Sequence, residues 1–399
     1  MFDPETLHFN ILDLLSAPRR AFKGKKIWAQ LMGLVAGYAV YFLLTYTALW
    51  LDGTALSAAW ERFGIYPFFN LYGGWLGSTL AWGVYVLGAV LWLLIAMLSA
   101  TAVARITYKE LKGELFYSFR DGLAYTRNHW RAVVFSPVAL VLLLLFIMLM
   151  AGVMALIGRL PVLGEVIFVG LYPLYFAGAI FVLYSVVVLA VMLLYLPAIV
   201  ALWEEDSMGS TFQAYSITWN QTWRTVVYST LIGLLAIVSA ALYGWAITAG
   251  YHFINWVFGA PWLMGDKLAP LIAKAESIVF SGYSSFFAYI PGQLAPASPL
   301  TSGVELATLS GWQSLIGSLL AVVLVFIYGS VFAYGLSVIS VGQTLSFLSF
   351  KYRIDDDNLL ERRDEEDLAA EAEDGELASK LEDGNDVTAA ADDPPASDD

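Results

Sequence analysis

The sequence has no cysteine and few charged residues. Among its 399 residues, Asp, Glu, Lys and Arg make up 14%, whereas an ordinary soluble protein has about 25%. The lack of cysteine excludes disulfides, thiolate nucleophiles and thiolate metal sites. The lack of charge, together with 59% hydrophobic residues and a mean hydropathy of +0.68, is incompatible with a soluble surface. The composition therefore predicts a polytopic membrane protein.

The net charge of -13 is concentrated in the C-terminal tail. Residues 355–399 hold 19 acids and three bases, and residues 1–354 hold 18 bases and 15 acids. The tail therefore carries -16 and the remainder +3. Because the tail also lacks aromatic residues, it cannot bury enough apolar surface to offset the entropy of ordering. We predict that it is disordered and dispensable for folding.

Six segments have the roughly 20 apolar residues that a transmembrane helix needs. They lie at about 27–50, 75–103, 132–157, 174–200, 226–250 and 312–340. The first is longer than the apolar core of a signal peptide, about 7–15 residues, so we interpret it as a retained span. The sequence thus predicts an all-α bundle of six spans, with an N-terminal amphipathic and basic segment at 1–26, a transmembrane domain at 27–354, an outer loop at 257–310 and the tail at 355–399.

One uncharged stretch, 166–203, is ambiguous. As a single helix it would measure about 57 Å, which is too long for one crossing and tight for two. Pro173 suggests a break between a half-helix at 163–171 and a full span at 174–200. Two full spans here remain an alternative.

The basic residues predict the orientation. With the N-terminus inside, the inner segments hold 17 Lys and Arg residues and the outer segments four. Positive residues near span ends favour the cytoplasmic side. We therefore expect both termini in the cytoplasm, in a bacterial inner membrane.

Two inner segments share a sequence pattern. Phe119, Trp130 and Arg131 recur 93 positions later as Phe212, Trp223 and Arg224, in the order Phe-x10-Trp-Arg-x-Val-Val-x-Ser. Each follows an amphipathic helix on the inner surface. Tryptophan favours headgroup depth and arginine reaches lipid phosphate, so we predict that the two Trp-Arg pairs anchor the chain at the inner interface. With the N-terminal segment as a weaker third copy, three repeated units are a hypothesis; interfacial composition alone is the alternative.

Patterns typical of active sites are missing from the sequence. His8, His129 and His252 lack metal-ligand spacing, and no phosphate-binding glycine loop or G-x-S-x-G motif occurs. The predicted span cores contain no ionisable residue, which weakens ion-coupled transport without excluding it. The acidic run 204–206 is interpreted as a solvated helix cap, with a cation site as the alternative. We expect no catalytic residue, cofactor or metal.

Several short segments resemble an uncharacterised family of bacterial six-span membrane proteins. These segments are RLPVLGE at 159–165, EDS at 205–207, WR at 223–224 and KYRIDDD at 351–357. More distantly, the chain is similar to the membrane domain that accompanies some glycerophosphodiester phosphodiesterases. The resemblance covers most of 90–365 and implies a bacterial inner membrane. No phosphodiesterase domain lies within these residues, so that activity does not carry over.

The function expected from these features is non-enzymatic. The leading hypothesis is a scaffold or accessory subunit that presents its inner helices and acidic tail to a protein partner, with the lipid bilayer as the other partner and no nucleic acid. The alternative is a transporter or lipid-handling protein with a polar midplane cavity. A membrane enzyme ranks third.

Overall fold

The computed structural model describes residues 7–68, 75–280, 301, 304, 306, 309–355, 358–364 and 366–368. The described residues form helices and connecting turns, which confirms the all-α prediction. The helices are α1 Ile11–Leu14, α2 Ala17–Ala21, α3 Gly24–Leu51, α4 Leu56–Phe63, α5 Thr79–Leu111, α6 Phe119–Ile157, α7 Leu163–Trp203, α8 Ser207–Phe258, α9 Leu268–Val279 and α10 Gly311–Asp355.

Among the described residues, six helices are long and apolar enough to cross a membrane: α3, α5, α6, α7, α8 and α10. Each contains one predicted span, so the predicted multi-pass bundle is confirmed. The helices are longer than the predicted spans. For example, α8 has 52 residues, or about 78 Å, whereas the hydrocarbon layer is about 30 Å thick. The additional turns extend beyond the hydrocarbon and bring polar residues together there.

Helix α7 has no break at Pro173, so the predicted half-helix at 163–171 is wrong. Leu163–Trp203 forms one helix of 41 residues with Pro173 and Pro197 in its interior. A proline removes one backbone hydrogen bond, but transmembrane helices tolerate it where local adjustment satisfies the released groups. The stretch is therefore one long span.

The segments predicted to be inner meet at one end of the bundle, which we call the polar end (residues 7–26, 101–121, 195–207, 340–355, 358–364 and 366–368). Ser349 Oγ donates to the carbonyl oxygen of Phe9 at 2.9 Å, and Lys25 Nζ donates to that of Tyr117 at 2.8 Å. Residues near both termini therefore lie at the same end, as expected for an even number of crossings.

The polar end is the most tightly packed part of the bundle. Every residue is buried at 101–109 of α5, 195–202 of α7 and 340–351 of α10. The hydroxyl groups in α10 donate to carbonyls of the preceding turn, as Thr344 does to Ser340 at 2.8 Å and Ser346 to Gly342 at 2.9 Å. These bonds let small polar side chains lie between helices without unsatisfied donors.

Glycines bring α3 and α5 close together. A Cβ added at Gly33 would lie 2.3 Å from Ser99 Cβ, and one added at Gly37 would lie 2.6 Å from Trp92 Cδ1. Such close approach requires the absence of a side chain. This glycine row therefore packs the bundle, as its four-residue spacing predicts.

Helix α9 packs with an apolar face in the predicted outer loop. Leu268, Ile272, Ala275 and Val279 are buried in one cluster with residues of α8 and α10. Tyr66 Oη donates to the carbonyl of Val279 at 2.9 Å, so two of the three predicted outer segments also meet at a common end. The loop residues 281–300 lie outside the described residues.

Residues 145–183 form a helical hairpin that projects from the bundle, and we call it the apolar arm. All of its residues are described, and Gly164 alone is buried. Its turn is tight, because a Cβ on Gly164 would lie 2.6 Å from the carbonyl oxygen of Gly158. Its two helices diverge around an open, mostly apolar groove of about 880 Å³, with Met154 and Tyr172 among the lining residues. The arm comprises parts of the predicted spans 132–157 and 174–200 and the residues between them, and it offers lipid a large contact surface.

Candidate functional site

Three cations on one stripe of α5 form the centre of the polar end. Arg105, Lys109 and Lys112 follow each other at intervals of four and three residues, which places them on one face of a helix. Arg105 is fully buried and Lys109 is 1% exposed. They follow directly after the predicted hydrocarbon core, which ends at residue 103. A buried cation requires partners, because desolvation without them is costly.

Arg105 has partners from three parts of the chain. Its Nη2 lies 3.0 Å from Glu204, 3.2 Å from Asp364 and 3.0 Å from Glu366, and its Nη1 donates to the carbonyl of Ala201 at 3.0 Å. Its guanidinium carbon also lies 4.2 Å from the centre of the Tyr125 ring, within the range of a cation–π contact. Arg105 thus joins α5 to α6, α7 and the chain after α10.

Lys109 and Lys112 extend the same network. Lys109 Nζ lies 3.0 Å from Asp364, 2.8 Å from Asp367 and 3.0 Å from Glu114. Lys112 Nζ lies 3.4 Å from Asp364 and also donates to Asp367. Asp364, which is 4% exposed, therefore contacts all three cations.

The carboxylates come from the start of the C-terminal tail, and this corrects the predicted domain boundary. Residues 358–364 and 366–368, which we call the docked segment, pack against the polar end. Leu359 is 1% exposed, and its carbonyl accepts a bond from Tyr108 Oη at 2.8 Å. The boundary predicted at 355 must therefore move to at least 368. Attraction between the acids and the α5 cations, together with burial of Leu359, overcomes the ordering entropy that predicted disorder here. Residues 369–399 lie outside the described residues.

Trp203 supports the docked segment from beneath. Lys351 Nζ lies 3.8 Å from the centre of its indole ring, and the guanidinium of Arg362 lies 4.8 Å from it. Both distances fit cation–π contacts. The last turns of α10 and the docked segment are thereby held at the end of α7.

A second ion cluster fixes the N-terminal segment on the opposite side of α5. Glu110 accepts contacts from Lys23 at 3.0 Å, Lys25 at 2.8 Å and Lys26 at 2.8 Å. Lys26 is fully buried, and its Nζ also donates to the carbonyl of Arg20 at 3.1 Å. The end of α5 therefore holds both the N-terminal segment and the docked segment.

This environment shifts the pKa values of two groups, Asp367 in the docked segment and Tyr117 beside it. Burial acts to raise the pKa of Asp367, but hydrogen bonds from Lys109 and Lys112 outweigh it and hold the pKa well below its usual value. Burial, reinforced by the carboxylate of Glu366, raises the pKa of the Tyr117 phenol. Asp367 is therefore ionised and Tyr117 neutral at physiological pH.

The turn between α7 and α8 directs a carboxylate into the site. Glu204 has a φ of 57°, a left-handed conformation that is unfavourable for a residue with a side chain. In this conformation it reaches Arg105, while Asp206 Oδ1 accepts from Gly209 N at 2.8 Å. Asp206 thus confirms the predicted cap. The prediction that the whole run is solvated is wrong for Glu204, whose side chain is 12% exposed. Within the described residues, no group of acids and histidines is placed to hold a metal.

The predicted interface anchors lie outside this site. Trp130, in α6, is 42% exposed and Trp223, in α8, is 64% exposed. Arg224 donates to Gln221 Oε1 at 2.7 Å. The backbone of Gln221 is non-helical and forms a kink in α8. The amphipathic segment before Trp130 continues into the following span within α6, whereas the one before Trp223 is separated from its span by the kink at Gln221. Anchoring at the inner interface stays a prediction.

Sequence reasoning missed the ion network. A signal was present in the sequence. The spacing of Arg105, Lys109 and Lys112 extends one helical face beyond the span. Glu366 and Asp367 follow Asp364 by two and three residues, and these three acids can match the three cations. Their charge indicates topology, but it does not by itself indicate that these cations pair with acids of the C-terminal tail. The average composition of the tail also does not distinguish Leu359 and Leu360, which lie close to these acids in sequence.

Comparison with protein-family models, curated proteins and solved structures gives no match to this chain. The resemblance to the phosphodiesterase-associated membrane domain is therefore neither supported nor refuted.

Proposed function

We propose that this protein is a non-enzymatic scaffold or accessory subunit of the bacterial inner membrane, with its polar end and both termini in the cytoplasm. The observation that carries the proposal is the docked segment. It ties the chain to the polar end through Asp364, and the acidic residues 369–399 follow it directly in sequence. A protein that presents an acidic chain from a fixed point is suited to hold a partner with a basic surface close to the membrane.

The interior polar groups support the scaffold over a transporter. Gln30 Nε2 donates to Ser340 Oγ at 2.8 Å, and Ser99 Oγ donates to Gln30 Oε1 at 2.8 Å. These buried groups bond to one another and tie α3, α5 and α10 together. The cations of α5 are likewise occupied by protein carboxylates. Such pairing favours a static bundle over one that exchanges polar substrates.

A lipid-handling function is the second candidate, and the groove of the apolar arm favours it. The groove is open and apolar, as a path for acyl chains requires. Photoactivatable fatty acids would label Met154 in the groove more than Leu234, an exposed residue of α8, if lipid occupies the groove selectively. Equal labelling of both helices would indicate ordinary bilayer contact.

The scaffold proposal predicts a partner that depends on tail charge. Residues 369–399 hold 11 acids and one base. Affinity purification from native membranes should recover a stoichiometric partner with the full chain and lose it with a chain that ends at Leu368. A full-length variant with the 11 acids changed to Asn or Gln is the matched control and should also lose it. Equal recovery with all three chains would contradict a role for tail charge.

The proposed orientation has its own test. A single cysteine introduced at Ser397 is the only thiol in the chain, so a membrane-impermeant maleimide reports its side without background. We expect no labelling in intact cells and full labelling after permeabilisation. Labelling from outside intact cells would place the tail outside and contradict the orientation.

A further inference from the structure

A single carboxylate oxygen lies at the meeting point of three cations. Asp364 Oδ2 is 3.2 Å from Arg105 Nη2, 3.0 Å from Lys109 Nζ and 3.4 Å from Lys112 Nζ. The phenol of Tyr117 adds a neutral donor 3.1 Å from the adjacent Glu366. One guanidinium, two ammonium groups and a hydroxyl around a small anion are the donors that bind phosphate in proteins.

The carboxylate that fills this position belongs to a peripheral segment. The side chains of Glu366 and Asp367 are 35% and 26% exposed, and Leu368 is 53% exposed. The docked segment therefore covers the cations from outside. It follows α10 in sequence, so its release interrupts none of the six long helices.

Removal of the docked segment would leave the cations without sufficient compensation. Of the carboxylates around them, Glu204 and Glu114 belong to the body, so three cations would face two acids. Buried cations without partners are strongly unfavourable. An anion must then replace the segment, or the segment must return.

The position of the cations makes phosphate groups available. Arg105 lies two residues, or about 3 Å, beyond the predicted end of the hydrocarbon core at residue 103. This is the depth of lipid headgroups, where arginine and lysine side chains contact phosphate. Inorganic phosphate from solution is the other source of the same chemistry.

We propose that Arg105, Lys109, Lys112 and Tyr117 form a binding site for a phosphate group, and that the docked segment occupies this site as an exchangeable internal ligand. Binding of phosphate displaces Asp364 and its neighbours and releases the base of the acidic tail from the polar end. The inference does not depend on the scaffold function, because the site and the exchange can be measured without any protein partner.

The exchange can be measured on the full-length protein in nanodiscs. Spin labels on Leu368→Cys in the docked segment and Leu123→Cys in α6 report their separation, and both native residues are about half exposed. Phosphatidylcholine discs, in which the choline cation already compensates the headgroup phosphate, are the baseline. Phosphatidylcholine discs with inorganic phosphate and discs with anionic phosphatidylglycerol then separate the two sources. We expect a second, longer distance with phosphatidylglycerol, with inorganic phosphate, or with both. One short distance in all three conditions would overturn the proposal.

Variants distinguish phosphate binding at this site from nonspecific attraction to surface charge. Asp364→Asn with Asp367→Asn weakens the internal ligand but keeps the cations, so the phosphate probe that acts on the native chain should bind about tenfold more tightly. Lys109→Gln with Lys112→Gln should lose this binding. Lys23→Gln with Lys25→Gln removes the same charge from the other ion cluster and should retain it.

Two outcomes contradict the proposal at the level of the variants. Unchanged affinity in the Asp variant would show that the docked segment does not compete with phosphate. Equal loss in both Lys variants would show nonspecific attraction to the polar end. If the Lys109 and Lys112 variant fails to insert, the gain or its absence in the Asp variant still decides the matter.

Discussion

Helix α7 passes through two contrasting regions of the molecule. At the polar end its residues 195–202 are all buried, whereas in the apolar arm its residues 165–183 include no buried residue. Both stretches are strongly apolar apart from Glu165. Within a bilayer, hydrophobicity therefore does not determine which residues are buried in protein, because lipid is as favourable a neighbour for leucine as another helix is.

The difference lies in what the neighbouring helices offer. At the polar end, α7 faces the small and polar residues of α10 and the cations of α5, and Tyr125 Oη donates to the carbonyl of Val200 at 2.8 Å. In the arm it faces the isoleucine, methionine and alanine side chains of α6 across an open groove. Directional contacts hold the first region together, and the second is held by dispersion and lipid. Substitutions should therefore have large effects in one region and small effects in the other.

The largest effect is expected for Arg105→Ala. The change leaves Glu204, Asp364 and Glu366 without their shared cation, and breaking a buried ion pair in this way costs about 3–5 kcal/mol. Thermal unfolding in detergent should show a large loss of stability. The comparison is Leu149→Ala in the arm, where the native side chain is 63% exposed and we expect a change below about 0.5 kcal/mol. Similar losses for both variants would contradict the contrast between the regions.

The second largest effect is expected for truncation of the tail, and its size should depend on where the chain ends. A chain that ends at Asp355 loses the docked segment, and burial of Leu359 alone is worth about 2 kcal/mol. A chain that ends at Leu368 retains the segment and should unfold at the same temperature as the full protein. This pair of truncations replaces the expectation that all of 355–399 is dispensable. Equal stability of both truncations would show that the docked segment contributes nothing to the fold.

The sequence predicted the spans well because crossing a bilayer requires a long apolar run, and such runs are visible without knowledge of neighbours. Two features were not predicted from the sequence, the continuity of α7 at Pro173 and the extension of α5. Both depend on the neighbouring parts of the structure. Pro173 appears as a break when α7 is considered alone, but the arm offers no second element into which the chain could turn. The extension of α5 beyond residue 103 was missed because its charged residues resemble a loop until their partners are known.

The candidate site could be predicted only in part, because its halves are about 250 residues apart in sequence. Composition correctly describes the tail as acidic, and loop charge correctly places cations at the ends of the spans. Neither quantity specifies that Asp364 meets Arg105, a pairing that depends on where α10 ends. The Glu204 contact depends likewise on a left-handed turn that no local pattern indicates.

A smaller effect is expected from acid. Because the pKa of Asp367 is lowered in the folded protein, its contribution to stability is present above the ordinary aspartate value of 3.8 and is lost as the pH falls below it. The docked segment should remain bound at pH 5 and separate progressively below pH 3.8. The distance between labels at residues 368 and 123 measures this. Asp367→Asn should shift or flatten the profile; an identical profile would exclude Asp367 as the titrating group.

The smallest effects are expected at the predicted anchors, which belong to neither region. Trp130→Ala with Arg131→Ala, and Trp223→Ala with Arg224→Ala, remove exposed side chains whose partners are lipid or local, such as Gln221 for Arg224. Each double variant should lose about 1 kcal/mol or less, because interface contacts in headgroups resemble surface contacts. Protease access before the pair should rise in both variants, and the two effects should match if the segments are true repeats. The kink at Gln221 in α8 provides a specific way to break this symmetry. If the Trp223 and Arg224 variant opens the preceding helix and the Trp130 and Arg131 variant does not, the anchors act through the kink, and the shared sequence pattern reflects interfacial composition alone.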